Sequence, residues 1–148
     1  MPWIETPGRR LLSEAGERRL EAAIRAAEGR TSGEIRVHVE RRCGGDALTA
    51  ARRWFVRLGM SRTAERNGVL LYVAIDDHAF AIVGDEGIHA KVGPSFWDGL
   101  RDAMHADFAR GEFASGIERA VAEAGRTLAE HFPRRADDRD ELSNEVSY

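Results

Sequence analysis

Residues 69–83 read VLLYVAIDDHAFAIV, and the folding of this stretch decides the architecture. Residues 69–75 are apolar at every position, which suits a central strand covered on both faces. Asp76, Asp77 and His78 then supply a tight polar connection. Residues 79–83 resume an apolar run of the right length to return antiparallel, as a hairpin partner.

Upstream, residues 34–40 read EIRVHVE and alternate strictly. Ile35, Val37 and Val39 face a core while Arg36 and His38 face away, the pattern of a half-buried strand. Between these strands runs a helix that Asp46 can cap, with Leu48, Ala51, Phe55 and Leu58 in one stripe and Gly59 placed to end it. A strand, a helix and a strand in that order make a right-handed crossover, so the first two strands run parallel and the hairpin strand antiparallel.

Before this unit Ser13 can cap a helix reaching about Glu28, with Leu20, Ala23, Ile24 and Ala27 on one face and the TSG of residues 31–33 as its stop. After it, Phe96, Leu100, Met104 and Phe108 mark one helix. Gly111 interrupts, and Phe113, Ile117, Val121, Ala124 and Leu128 mark another. The expected fold is a single α/β domain, an α/β/α sandwich with a small mixed sheet between helices. Residues 1–10 read as an N-terminal extension and 11–133 as the domain. Residues 134–148 lack apolar periodicity and read as a disordered or loosely docked acidic tail.

A chain of 148 residues can bury one core without staples. The net charge is −3, and the basic residues, all arginine except Lys91, are interleaved with acids, so nothing points to a nucleic-acid partner. The single Cys43 excludes an intramolecular disulfide. No stretch approaches the ~20 apolar residues of a membrane span, and none near the start has signal-peptide length, which sets a cytoplasmic expectation.

The motifs of P-loops, dinucleotide folds and serine hydrolases are missing. Cys43 lacks the arginine six residues on that a cysteine phosphatase uses, and reads as a loop thiol. The five histidines show no zinc-hydrolase spacing and read mostly as surface residues.

The topology sends two acidic pairs to opposite ends of the sheet. At one end converge residues 31–34 (TSGE), 65–68 (ERNG) and 84–87 (GDEG), so Glu34, Asn67, Asp85 and Glu86 are candidate ligands for a hard cation such as calcium. The plain alternative is that these are turns and Glu34 an edge charge. At the other end Glu40, Asp46, Asp76, Asp77 and His78 form a rival site with Asp76 and Asp77 at its centre, favoured by the rule that crevices open at the carboxyl ends of parallel strands. There the alternative is that Asp46 caps a helix and Asp76 and Asp77 form a turn.

TSGEIRVHV, ERNGVLLYVAIDD and AIVGDEGI, in that order, with FWDGLRDAM and FARGEFASGIERA behind them, resemble the TPM domain family. That family includes thylakoid-lumen proteins linked to photosystem II repair, an acetylcholine-receptor auxiliary protein and many bacterial envelope proteins. The chain is similar to its short bacterial branch over about residues 11–132, and the ending DELSNEVSY looks like that branch too.

The resemblance implies an α/β/α sandwich, divalent-metal binding, chiefly calcium, in an acidic groove, and weak acid phosphatase activity of the kind reported for some plant members. The family's T-G-x-E maps onto Thr31, Gly33 and Glu34 with Ser32 shifting the pattern. Its D-N-G-V-L maps onto residues 66–70, where Arg66 replaces the acid, and its G-Y-G-L-E-G maps poorly onto residues 84–90, with His89 at the later acidic position.

The function expected from these readings is a non-enzymatic accessory or interaction module with an unidentified protein partner and a calcium site at Glu34, Asn67, Asp85 and Glu86. The alternative is a weak metal-assisted acid phosphatase, with Asp85 as nucleophile or base and Arg66 or Lys91 as the positive clamp.

Overall fold

The computed structural model describes residues 12–134 and 145–148. The N-terminal extension and most of the tail lie outside the described residues. Helix α1 (Glu14–Glu28) starts where Ser13 accepts a hydrogen bond from the Gly16 N–H, satisfying one of the donors that a helix start leaves open. Strand β1 (Glu34–Glu40) follows, then α2 (Ala47–Arg57), capped by Asp46 through the Thr49 N–H and hydroxyl. Gly59 leaves α2 in the left-handed conformation that glycine adopts without strain.

Strand β2 (Gly68–Ala74) is buried at all seven positions, and β3 (Ala79–Gly84) returns beside it. A single helical turn, α3 (Glu86–His89), leads to α4 (Pro94–Ala109) and α5 (Phe113–His131).

The sheet order is β1-β2-β3, with β1 parallel and β3 antiparallel to β2. Register runs from Glu34 opposite Gly68 to Glu40 opposite Ala74 on one side, and from Val69 opposite Gly84 to Ala74 opposite Ala79 on the other. Alternation splits the apolar side chains into two cores. Ile35, Val37, Val39, Val69, Leu71 and Val73 pack with α1, α4 and α5, while Leu70, Tyr72, Ala74 and Ala81 pack with α2 and Met60. The result is three layers, with α2 alone on one face.

Two local readings change. His38 points away from the larger core but is fully buried, because α2 lays Trp54 over it. Leu48 sits in the α2 stripe yet is 39% exposed, and Ala50 takes the buried position. The chain's last residues lie along β1: the Ser147 N–H donates to the Val37 carbonyl and the Val39 N–H donates to the Ser147 carbonyl, each at 2.8 Å.

Candidate functional site

Backbone hydrogen bonds sew together the three loops expected at one rim. The Glu34 N–H donates to the Asn67 carbonyl at 3.3 Å, the Asp85 N–H to the Gly68 carbonyl at 3.0 Å, and the Gly87 N–H to the Arg66 carbonyl at 2.8 Å. Glu34, Gly68 and Asp85 therefore form one row across the sheet. A Cβ on Gly87 would lie 2.2 Å from the Glu65 carbonyl oxygen, so only glycine permits this approach.

The side chains on this rim are less united than the backbones. Glu34 is buried, and Asn67 is buried with its Oδ1 accepting no hydrogen bond among the described residues. Asn67 precedes the row by one residue, and its amide nitrogen donates to Ser32 and Glu65, each at 3.4 Å, rather than meeting Asp85. Ser32 in turn donates to Glu65 at 2.5 Å.

Asp85 accepts from Arg66 Nε at 2.8 Å and Nη2 at 3.0 Å, a bidentate pair, and also caps α3 through the Glu86 N–H at 2.8 Å. The Asp85 carboxylate raises the Arg66 pKa further above its ordinary value. Glu86 is exposed. Arg66 itself adopts a left-handed φ of 52°, uncommon for a residue other than glycine.

This donor set does not fit calcium as it stands. The Arg66 guanidinium occupies both oxygens of the best-placed carboxylate, and a second cation beside it would be repelled. Among the described residues no group of three or more His, Cys, Asp or Glu side chains is placed to hold a metal ion.

At the opposite end each acid has a structural partner. Asp76 pairs with Arg41 at 2.9 Å. Asp77 accepts from the Cys43 N–H at 2.8 Å and from its thiol at 3.1 Å, and these bonds, the backbone one first, hold its pKa below the usual carboxylate value. The thiol's own bond to Asp77, then burial, pushes the Cys43 thiol up, away from the thiolate that a nucleophile needs. Glu40 accepts from the Tyr72 hydroxyl, and Asp46 serves as the α2 cap.

The alternation and crossover had marked which loops meet. They could not show the Ser32–Glu65–Asn67 network, because the side chains of a loop point where its turns aim them. The basic residue at position 66 beside an acidic loop was the one signal for the Arg66–Asp85 pair.

Among the described residues no helix is long and apolar enough to cross a membrane. No curated protein matches the chain. The NMR structure of the BA42 protein from the psychrophilic bacterium Bizionia argentinensis is 41% identical, with a TM-score of 0.88, over 97% of this chain and 99% of that one. The N-terminal domain of the cg2496 protein from Corynebacterium glutamicum is 16% identical, with a TM-score of 0.61, over 84% and 85% of the two chains. The N-terminal domain of a P. gingivalis protein is 23% identical, with a TM-score of 0.60, over 82% and 78%. The last two share the fold. Residues 8–127 match the family model of the TPM domain, and with that span and a relative of such identity over nearly its whole length, the chain belongs to the TPM domain family.

Proposed function

We propose that this chain is a non-enzymatic accessory module that engages a protein partner, and that its rim at Glu34, Asn67, Asp85 and Glu86 is a cation position held by Arg66 in competition with calcium. The bidentate Arg66–Asp85 pair carries this reading, because it places a permanent positive charge where the neighbouring loops concentrate oxygen. The buried Asn67 Oδ1 supports it from the same loop. What supports a non-enzymatic role is that Asp85, Asp76, Asp77, Glu40 and Cys43 are each engaged in structural bonds.

Calorimetric titration tests the rim. Calcium should give little heat with the native chain and clear saturable heat with Arg66→Asn, which keeps a residue tolerant of the left-handed backbone and adds an oxygen. Equal binding by both chains would remove the competition, and no heat from either at millimolar ion would remove the cation site.

The alternative is a metal-assisted acid phosphatase with Asp85 as nucleophile or base and Arg66 as clamp; the closeness of that pair favours it. Hydrolysis of an aryl phosphate that disappears in Asp85→Asn would establish this second reading in place of the first.

A further inference from the structure

The two outer edges of the sheet are treated differently. On β1 the outward groups are occupied: Glu28 accepts from the Ile35 N–H at 2.7 Å, and Ser147 bonds Val37 and Val39. On β3 the Asp85 N–H bond to Gly68 sets the alternation. Val83, Ala81 and Ala79 turn their backbone groups to β2, while Phe80, Ile82 and Gly84 present theirs to the outside. No hydrogen bond from the described residues reaches these outward groups.

Open edges are normally blunted by lysine, proline, a bulge or a cover. AFAIVG has none of the first two, and its six residues pair with β2 without a break. The edge forms the floor of a cleft of about 940 Å³. Leu48 and Arg52 of α2 line one wall, and Trp97 and Arg101 of α4 line the other. Leu48 is one of two exposed large hydrophobic residues among those described, and Trp97 lies against Gly84 at one end of the floor.

We propose that this cleft binds an extended, apolar-alternating peptide segment of a partner protein, which adds to the sheet as a fourth strand beside β3. The backbone groups of Phe80 and Ile82 would pair with it, and its alternate side chains would meet Leu48 on one side and Trp97 on the other. A segment of about six residues spans ~20 Å, which matches the length of β3. The occupant is a single strand, because the floor is half-buried between two helices and a second copy would bring its own α2 and α4 against these walls before the edges met. On the opposite edge Ser147 already makes a bridge of this kind, parallel to β1 at His38.

This deepens the accessory-module reading by naming the surface; the cleft shares Glu86 with the rim but does not draw on the Arg66–Asp85 pair, so its failure leaves the calcium competition untouched. The test uses the isotope-labelled full chain with an end-capped hexapeptide alternating valine and threonine, and a control with proline at its two central positions. Amide exchange at Phe80 and Ile82 should slow by about tenfold or more at saturating peptide and stay unchanged with the control. Leu48→Glu, at an exposed wall position, should weaken binding about tenfold by placing a charge against the apolar side chains.

Four results would overturn the proposal. They are protection of Phe80 and Ile82 before peptide is added, a dimer in light scattering that Leu48→Glu dissolves, protection only at Val37 and Val39, and no protection at millimolar peptide.

Discussion

The imidazole of His38 lies flat against the indole of Trp54, ring centroids 3.7 Å apart and 26° from parallel, and this contact seals the face of β1 that α2 covers. Ser147 meets the imidazole Nδ1 at 2.9 Å, and Glu40 stands 3.6 Å from Nε2. Across the same face, Arg57 lies over the Trp54 ring.

Burial holds His38 well below its ordinary value, at about 4, with Arg36 and Arg57 adding to the lowering and Glu40 opposing it. The unfolded chain therefore takes the proton first. Stability is full above the unfolded value of 6.5, falls as pH drops towards 4, and levels off below it. The loss is on the order of 3 kcal/mol. Urea midpoints across this window should fall for the native chain and stay nearly level for His38→Gln; equal slopes would exclude His38 as the cause. The low-pKa carboxylates Asp46 and Asp77 act in a separate window, because their contribution is lost only as pH falls below about 3.8.

Ser147→Pro removes the N–H that bonds Val37 and the hydroxyl beside His38. Two or three modest hydrogen bonds correspond to about 1–2 kcal/mol, a drop of a few degrees in melting temperature. Exchange at the Val39 amide should quicken while the β2 amides keep their protection. An unchanged Val39 rate would mean that the C-terminal residues leave β1 in solution.

Arg66 and Asp85 should be energetically coupled. Asp85 is 5% exposed at its side chain but Arg66 is 46% exposed, so solvent screens the pair and the coupling in a double-alanine cycle should be about 1 kcal/mol. High salt should leave most of it, since the bonds are bidentate and partly buried. A coupling near zero would show that Asp85 is held by its α3 cap alone.

Two glycine replacements should have opposite signs. Gly87→Ala drives a Cβ into the Glu65 and Arg66 carbonyls, at 2.2 and 2.7 Å, and backbone cannot swing aside as a side chain can. It should cost about 2–3 kcal/mol and loosen the rim. Gly99→Ala, inside α4 with nothing within 4 Å of the added atom, should stabilise by roughly 0.5–1 kcal/mol through helix propensity. Thermal melts of the two variants decide it; if Gly87→Ala melts with the native chain, the loops at the rim are not locked together.

The sequence by itself determined the three strands, the four long helices and how the sheet is ordered, but not the single turn α3, whose residues read as a plain turn. Residues 69–75 are apolar on both faces, residues 34–40 alternate, and the crossover between them leaves one arrangement. It also determined which loops share a rim, since strand direction sends each loop to a definite end. Alternation says which face of a sheet a residue takes, but not what lies over that face. His38 reads as outward and is buried because Trp54 covers it. Leu48 reads as core but lines the open cleft beside β3, and Ala50 takes the buried position of α2 instead.

Only the tertiary structure decided the pairings between residues distant in the chain. Arg66 meets Asp85 across 19 positions and Ser147 meets His38 across 109. Such contacts are set by how packed elements bring their ends together, which no local pattern encodes.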